Sequence, residues 1–345
     1  MINKSDKIIV GISIGDLNGI GVEVILKTFQ DNRMLDFCTP LIFGSTKVIS
    51  YHKKALSIET PIHGITSLNQ IHHNKINVLN IWKEDVSINL GKASAESGEY
   101  AAKSLEKAVS SLKDKKIDIL LTAPINKETI QSDSFNFPGH TEYLEDKLDG
   151  KSLMILMSDN LKIGLITGHI PISKVAETIT PSLIIEKVET MYRSLVEDFG
   201  INRPKIAVLS LNPHSGDKGV IGEEDDEIVK PTIDQIADSG KLVFGPYAAD
   251  GFFGSEAYKQ FDGVLATYHD QGLAPFKALS FGNGVNYTAG LSEVRTSPDH
   301  GTGFDIAGKN IANPSSFTEA LFTAIQVFKT RKEYRELSKS PLSVK

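Results

Sequence analysis

Short, nearly all-apolar runs alternate along this chain with segments of helical periodicity, and three of these runs lead into a histidine. They read KIGLITGH, KIAVLSLNPH and DGVLATYHDQG, and they bring in His169, His214 and His269. Alternating strands and helices are typical of the α/β class, in which helices cover a parallel sheet. Because the carboxyl ends of parallel strands line the ligand crevice of such folds, we expect the three imidazoles to lie at a binding site.

Periodicity and composition predict where the main elements lie. Strands are expected at 7–14, 41–43, 117–122, 153–157, 163–167, 206–211, 264–267 and 284–289. Helices are expected at 22–29, 94–112, 181–199 and 316–328. The run IDILLT suits a strand buried on both faces, and Asp159-Asn160 suits a hairpin turn. Thr180-Pro181 matches the residues preferred at the start of a helix.

Composition bounds the class of protein. The chain has 345 residues, of which 40% are hydrophobic and 23% charged, as in an ordinary soluble domain pair. A net charge of −6 disfavours nucleic acid as a partner, since nucleic-acid binding requires a basic face. The single cysteine, Cys38, excludes an internal disulfide and suits a reducing compartment. With no long apolar run for a signal peptide or a membrane span, we expect a cytoplasmic protein that binds no membrane.

The three histidines predict a metal site with an open position. Neutral imidazole suits Zn, Co, Ni or Fe, and Asp250 or Asp270 could add a carboxylate ligand. A cation held in this way can act as a Lewis acid on a substrate oxygen. The spacing of the three histidines along the sequence matches no local metal motif. Three unrelated histidines in loops therefore remain an alternative at this stage.

Two further segments carry groups that bind anions. In PGHTEY, His140 and Thr141 either face an anion at a helix N-terminus or Thr141 caps that helix. After His269 comes a segment rich in Gly, Pro and polar residues, which we expect to be mostly loop, with Lys277, Asn286 and Arg295. Together these three can bind phosphate or carboxylate, the alternative being scattered surface charge.

The glycine-rich turn SIGDLNGIGVE is not a dinucleotide fingerprint. Its glycines, at 15, 19 and 21, do not match GxGxxG, and no GK[ST] follows for a phosphate loop. A tight turn that leads into a helix explains it. Any nicotinamide cofactor would therefore bind outside a Rossmann crevice.

An ordered set of segments resembles the 4-hydroxythreonine-4-phosphate dehydrogenase family of pyridoxal phosphate biosynthesis. These segments are GDLNGIG, LLTAPINK, FPGHTEYL, TGHIP, AETITP, LNPHSGDKGVIGEED, YHDQG, FGNGVN, VRTSPDHGTG and DIAGK, and they span nearly the whole chain. The first loop departs from the form TPGEPAGIG that is typical of the family. The resemblance implies the α/β fold of isocitrate and isopropylmalate dehydrogenases, with two domains and an active site in the cleft between them. The expected domains are 1–130 with 300–345, and 131–299.

The same resemblance implies roles for particular residues. It implies a homodimer in which His169, His214 and His269 bind one divalent metal (Zn, Mg, Co or Mn), with His269 supplied by the partner chain. The substrate would be bound by His140, Thr141, Lys277, Asn286 and Arg295. Accessory candidates are Asp250, Asp270, Asp299 and His300, and the candidate base is Lys277. The cofactor would be NAD or NADP.

The implied reaction is the oxidation of 4-phosphooxy-L-threonine to 2-amino-3-oxo-4-phosphooxybutanoate. That product decarboxylates to 3-amino-2-oxopropyl phosphate, which feeds pyridoxine 5'-phosphate biosynthesis. The sequence leaves alternatives open: a sister dehydrogenase for threonate or erythronate 4-phosphate, a metal-dependent phosphatase, or a sugar-phosphate binding protein without activity.

Overall fold

The computed structural model describes residues 7–132, 135–280 and 282–339. The chain forms two compact units. The first comprises Met1–Asp149 and Ser292–Phe328, and the second comprises Gly150–Leu291 and Lys329–Lys345. Relative to the expected domains, residues 131–149 and 292–299 belong to the first unit instead of the second, and the C-terminal residues from Lys329 belong to the second.

The elements alternate between strand and helix along most of the chain. The strands are β1 Ile9–Ser13, β2 Thr39–Gly44, β3 His63–Ile65, β4 Asn77–Asn80, β5 Ile119–Thr122, β6 Gly150–Ser158, β7 Leu161–Leu165, β8 Lys205–Leu209, β9 Leu242–Tyr247, β10 Gly263–Ala266, β11 Val285–Leu291 and β12 Val294–Pro298. The helices are α1 Gly21–Thr28, α2 Met34–Phe37, α3 Thr46–Ala55, α4 Ala95–Lys113, α5 His140–Lys147, α6 Val175–Thr178, α7 Pro181–Glu197, α8 Lys230–Asp238, α9 Ala249–Gly254, α10 His269–Ser280 and α11 Ser315–Leu337.

The first unit is built on parallel strands in the order β3, β4, β2, β1, β5, β12. Every residue of β2 and β5 is buried, and β1 is buried from its second residue, because helices cover the sheet. The long helix α4 packs on β1, β2 and β5 with its apolar stripe, and Ser94 caps it by accepting a hydrogen bond from the Ser97 N–H. The α/β fold class expected from the sequence is confirmed.

The glycine-rich turn after β1 is a tightly packed loop of the first unit. Gly15 has φ +68°, and a Cβ on it would lie 2.2 Å from the Pro124 carbonyl oxygen. A Cβ on Gly19 would lie 2.6 Å from the Thr302 carbonyl oxygen. The carboxylate of Asp16 is buried and accepts hydrogen bonds from the Asn18 N–H and the Ser97 hydroxyl. These close approaches need glycine, so the turn serves backbone packing at the start of α1.

The second unit has a mixed sheet in the order β11, β6, β7, β10, β8, β9. Strand β6 pairs antiparallel with β11 and β7, and the remaining pairs are parallel. The expected hairpin between β6 and β7 is present. Thr180 caps α7 through its hydroxyl, as its position before Pro181 predicts. The core contains apolar side chains of β7, β10 and β8 together with Phe252, Tyr258 and Phe276.

A buried ion pair explains why the last turns of α11 belong to the second unit. Nε of Arg331, in α11, donates to a carboxylate oxygen of Asp198 at 2.6 Å. The Tyr287 hydroxyl donates to the other oxygen at 2.6 Å and accepts from Arg331 Nη2 at 2.9 Å. A charge this deeply buried needs such partners, so these contacts fasten the last turns of α11 to the second unit.

The predicted bounds of the helices and strands differ from the observed ones chiefly where tertiary packing determines where an element begins or ends. The segment after His269 was expected to be mostly loop, and that prediction is wrong. It contains the helix α10, which accommodates Pro275, and the strand β12, neither of which was expected, in addition to β11, which was expected at 284–289. The last helix continues to Leu337, nine residues beyond its expected end. Short strands such as β3 and β4 were not predicted, because runs of three or four residues carry little periodicity.

Within the described ranges, no helix combines the length and the apolar character that a membrane span requires.

His52 makes the stability of the first unit depend on pH. It is buried in α3, where its Nε2–H donates to the Leu17 carbonyl oxygen at 2.9 Å. Burial lowers the pKa of His52 to about 4, from an ordinary value of 6.5. Between pH 6.5 and about 4 the unfolded chain takes up a proton that the folded chain excludes. Stability present above pH 6.5 is therefore lost as the pH falls, by about 3 kcal/mol at most.

We predict that His52→Gln, which keeps an N–H donor but does not titrate, removes this part of the pH dependence. Urea unfolding can be followed by the fluorescence of Trp82, a buried residue of the first unit and the single tryptophan of the chain. The stability difference between parent and variant should shrink or reverse from pH 7 to pH 4. An unchanged difference would contradict the prediction.

Candidate active site

The three histidines expected to bind metal lie after three strands of the second unit that pair in parallel. His169 follows β7, His214 follows β8 and His269 is the first residue of α10, directly after β10. Strand β10 pairs with both β7 and β8, so the three chain segments leave the same edge of the sheet. The expectation that three strand ends deliver these residues to one edge agrees with the topology.

Two of the three imidazoles lie close together. The ring centroids of His169 and His269 are 5.5 Å apart, with an angle of 44° between the rings. They line a pocket of about 490 Å³ with Ile172, Val175 and Tyr268 among its other walls. Metal–nitrogen bonds of about 2 Å place two imidazoles on one tetrahedral cation with centroids roughly 5 Å apart. The observed spacing is therefore compatible with one shared cation.

A neighbouring carboxylate orients one of these rings. Nδ1 of His269 lies 2.7 Å from a carboxylate oxygen of Asp270, whose side chain is exposed. A carboxylate acceptor favours the tautomer with hydrogen on Nδ1, which leaves the Nε2 lone pair available for a metal. Asp270, expected as an accessory residue, thus has the geometry of an orienting group.

His214 lies in a loop with an unusual backbone. All residues from 214 to 219 have positive φ, and only Gly216 and Gly219 among them are glycines. A run of non-glycine residues in the left-handed region stores strain, and such strain is concentrated at functional sites. The buried carboxylate of Asp225 holds the start of the loop, because it accepts from the N–H groups of Leu211 and Asn212 at 2.7 and 2.8 Å.

One chain by itself does not complete a three-ligand site. Among the described residues, no group of three or more His, Cys, Asp or Glu side chains is arranged to hold a metal ion. The donors fit a divalent cation in kind, since two imidazoles are paired beside an open pocket. They do not fit it in number, because His214 does not join the pair to form a three-residue cluster.

The remaining predicted residues of the second unit lie on regular elements. Lys277 is exposed in the last turn of α10, eight residues and about 12 Å along the helix from His269. Asn286 lies in β11, and its side-chain oxygen is buried with no hydrogen-bond partner among the described residues. Asp250 is exposed on α9. The buried amide oxygen of Asn286 is a polar group to which a ligand can donate a hydrogen bond.

Arg295 and His140 form the second candidate site, in the first unit. Arg295 is 1% exposed, and its Nε and Nη2 donate to the Thr122 hydroxyl at 3.2 and 2.6 Å. His140 is the first residue of α5, and its Nε2 is buried with no hydrogen-bond partner among the described residues. A buried guanidinium and a helix N-terminus both favour an anion. The carbon chain of Lys127 also approaches this terminus, because its Cε would lie 3.8 Å from a Cβ on Gly139.

The charges of this site differ from those of the free residues. Burial lowers the pKa of Arg295 to about 9, and the Glu142 carboxylate opposes that effect. The guanidinium therefore stays charged at neutral pH. Burial, together with the positive charges of Arg295 and Lys127, lowers the pKa of His140 well below its ordinary value. His140 is neutral at pH 7, so its ring can donate one hydrogen bond and accept one.

The structure rules out one of the two interpretations of PGHTEY. Thr141 is the second residue of α5, and the cap residue is Gly139, which has no side chain to offer. The alternative that Thr141 caps this helix is therefore wrong.

Among the accessory candidates, His300 follows β12 in the first unit and its Nε2 is buried with no described partner. The Asp299 N–H donates to the Ser316 hydroxyl at 3.1 Å, and that hydroxyl donates to the Asp299 carboxylate at 3.3 Å.

Several residues of these sites were missed at the level of sequence. Thr122, Lys127 and Glu142 surround Arg295 or His140, and Asp225 holds the His214 loop. A signal was present, because Thr122 and Lys127 both lie in LLTAPINK, and Asp225 lies in LNPHSGDKGVIGEED. Nothing in one sequence says that these motifs face Arg295 or the backbone of another loop, since that depends on which strands are neighbours.

Comparisons with known proteins agree with each other. A family model described as "Pyridoxal phosphate biosynthetic protein PdxA" matches residues 36–324. The 4-hydroxythreonine-4-phosphate dehydrogenase of Bacteroides thetaiotaomicron is 50% identical over 341 residues, which cover 98% of this chain and 94% of that protein. The D-threonate 4-phosphate dehydrogenase of Cupriavidus necator is 35% identical over 317 residues, 91% of this chain and 95% of that protein. The crystal structure of a 4-hydroxythreonine-4-phosphate dehydrogenase from Burkholderia phymatum is 34% identical, with a TM-score of 0.75, and the match covers 93% of this chain and 98% of that one.

Proposed function

Because this chain belongs to the PdxA family of pyridoxal phosphate biosynthetic proteins, we propose that it is a metal-dependent dehydrogenase of 4-phosphooxy-L-threonine that uses NAD or NADP. The observation that carries the proposal is that parallel strands of the second unit deliver His169, His214 and His269 to one edge of the sheet. The product would be 2-amino-3-oxo-4-phosphooxybutanoate, a β-keto acid that decarboxylates to 3-amino-2-oxopropyl phosphate. The place of this reaction would be pyridoxine 5'-phosphate biosynthesis, and a buried, free Cys38 suits the reducing cytoplasm.

The substrate's anionic groups are proposed to bind Arg295 and His140. A buried guanidinium can pair with two oxygens of a phosphate or carboxylate, and the neutral imidazole at the start of α5 can add one hydrogen bond. Thr141 offers a hydroxyl in the same turn, and Asn286 and Lys277 of the second unit are the further proposed contacts. Binding energy at the phosphate can be used to orient the reacting carbon.

The metal is proposed to be held by His169, His214 and His269. Because one chain forms no cluster of three such ligands among its described residues, we propose that the site is completed in a homodimer. By family resemblance, His169 and His214 of one copy would be joined there by the His269 of the other copy. When bound, a divalent cation (Zn, Mg, Co or Mn) would polarise the substrate hydroxyl and NAD(P) would accept a hydride.

The chain's own residues then have two tasks. They hold the C–H bond of the substrate in line with the acceptor, and they take up the hydroxyl proton. Lys277, in the last turn of the helix that begins with His269, is proposed as the base by family resemblance. Asp270 keeps the His269 ring in one orientation, and Asp250, Asp299 and His300 are proposed as accessory groups without an assigned step.

A second candidate substrate is D-threonate 4-phosphate. A relative of that name is 35% identical over 91% of this chain, which supports it as the alternative substrate. The two molecules differ in an amino against a hydroxyl group, while phosphate, carboxylate and reacting hydroxyl are shared. Identity of 50% with a 4-hydroxythreonine-4-phosphate dehydrogenase favours the amino substrate.

The deciding experiment compares the two substrates side by side. We expect reduction of NAD or NADP with 4-phosphooxy-L-threonine, and a kcat/KM at least about tenfold lower with D-threonate 4-phosphate, because a site built for an amino group penalises its absence. The readout is absorbance of the reduced cofactor. The opposite preference would establish the sister activity, and release of inorganic phosphate without cofactor reduction would establish a phosphatase.

His214→Ala is expected to abolish turnover and to weaken binding of cobalt(II) to the apoprotein by at least about 100-fold, since a metal ligand is lost. The unfolding midpoint should stay close to that of the parent, because His214 is exposed. His72→Ala, an exposed histidine of the first unit, serves as the matched control and should change neither property. Full activity of His214→Ala after dialysis against a chelator would refute the metal assignment.

Arg295→Met is expected to raise the KM for the phosphorylated substrate by about 10- to 100-fold while the KM for NAD(P) changes less than about threefold. The reason is that a charged hydrogen-bond donor to the substrate disappears, at about 1.5–3 kcal/mol. Arg33→Met removes an exposed guanidinium of the same unit and should leave both constants unchanged. Equal losses for substrate and cofactor would mean that Arg295 has only a structural role.

A further inference from the structure

A side-chain network joins the ends of the three strands that carry the histidines. The residues Thr167, Thr267 and Ser210 lie just beyond β7, β10 and β8, and all three are buried. Two of them are placed alike in the sequence, since Thr167 and Thr267 each precede a histidine by two residues. Gln271, two residues after His269, is the group that connects them.

The network is closed by short hydrogen bonds. The Thr167 hydroxyl donates to the Thr267 carbonyl oxygen at 2.7 Å. The side-chain oxygen of Gln271 accepts from the Thr267 N–H at 2.8 Å and from its hydroxyl at 2.9 Å. The side-chain nitrogen of Gln271 donates to the Ser210 carbonyl oxygen at 2.6 Å. The Ser210 hydroxyl in turn donates to the Asn212 carbonyl oxygen at 2.9 Å, inside the loop of His214.

The position of these bonds matters because they lie where the sheet ends. Past the last pair of a strand, backbone groups lose their neighbours and need other partners. The loops that follow are the most mobile part of such a fold unless they are tied down. Gln271 suits this task chemically, because one amide group both accepts from the β10 end and donates to the β8 end.

We propose that Gln271 is a positioning residue that sets the spacing of the loops carrying His169, His214 and His269. This inference rests on the proposed function, in which all three loops carry metal ligands: His169 and His214 for the cation of this chain, and His269 for the cation of the other copy. Ligands of a metal must be held within about 0.5 Å of a common geometry, and three separate loops do not achieve this by themselves. Gln271 has no catalytic role in this scheme, since it acts through the strand ends.

The experiment must separate positioning from a general contribution to stability. Gln271→Met keeps the length of the side chain and removes both hydrogen-bonding groups. Gln271→Glu keeps the acceptor for Thr267 and removes the donor to Ser210. Thr267→Val removes the hydroxyl that donates to Gln271, and Thr267→Ser retains it. Thr267→Ser should therefore restore the cobalt(II) affinity that Thr267→Val loses. The control is Thr232→Val, which removes a buried hydroxyl that donates within the second unit to the Ile228 carbonyl oxygen, away from this network.

Three readouts are taken on the full-length protein: hydrogen exchange of the metal-free chain, binding of cobalt(II) alone, and steady-state kinetics. In Gln271→Met, amides in 167–172, 210–219 and 267–271 should all exchange faster. Cobalt(II) affinity should fall by about 10- to 100-fold, as is usual when groups that orient metal ligands are removed. Kcat should fall at saturating cobalt(II) while KM for the substrate changes less than about threefold. Gln271→Glu should show the change at 210–219 most strongly.

Specific outcomes overturn the proposal. If only 267–271 exchanges faster, Gln271 is a local cap of α10. If cobalt(II) binds Gln271→Met as it binds the parent, or if Thr232→Val loses as much affinity, the network contributes stability alone. Failure of the proposed function can be distinguished from failure of this inference. In the first case the parent protein itself binds no cobalt(II) and reduces no NAD(P).

Discussion

Parallel pairing of β10 with both β7 and β8 is the constraint on which the candidate active site depends. Parallel strands point the same way, so the segments that follow them emerge side by side at one edge. Residues far apart in sequence, His169 and His269, thereby come within 5.5 Å between ring centroids. The pairing is stable because the strands are buried by helices on an apolar core, so the site is a consequence of the core.

The two candidate sites use opposite electrostatic environments. In the first unit, burial keeps Arg295 almost free of solvent and makes His140 neutral, which suits strong binding of a fixed anion. In the second unit, His169 and His214 are exposed and His269 is partly exposed, which suits ligands that must exchange with solvent and accept a substrate.

Much of the fold and part of the site follow from local sequence. The α/β class, the cap of α7 by Thr180 and the hairpin between β6 and β7 depend on residues close in the chain, and these predictions are confirmed. The segment after His269 was misjudged because Gly and Pro usually mark loops, whereas packing on β7 and β10 keeps α10 helical around Pro275. The roles of the predicted site residues in binding metal, binding substrate and catalysis all stay predictions.

The sequence by itself determined which chemical groups are present and which strand each one follows: three imidazoles, a guanidinium, and the motifs of a dehydrogenase family. Only the tertiary structure decided which side chains contact each other. It buried Arg295 against Thr122, paired His169 with His269 while leaving His214 outside that pair, and joined three loops through Gln271. The physical reason is that periodicity and capping are local properties, whereas strand order, burial and hydrogen-bond partners between distant segments arise only when the sheet assembles.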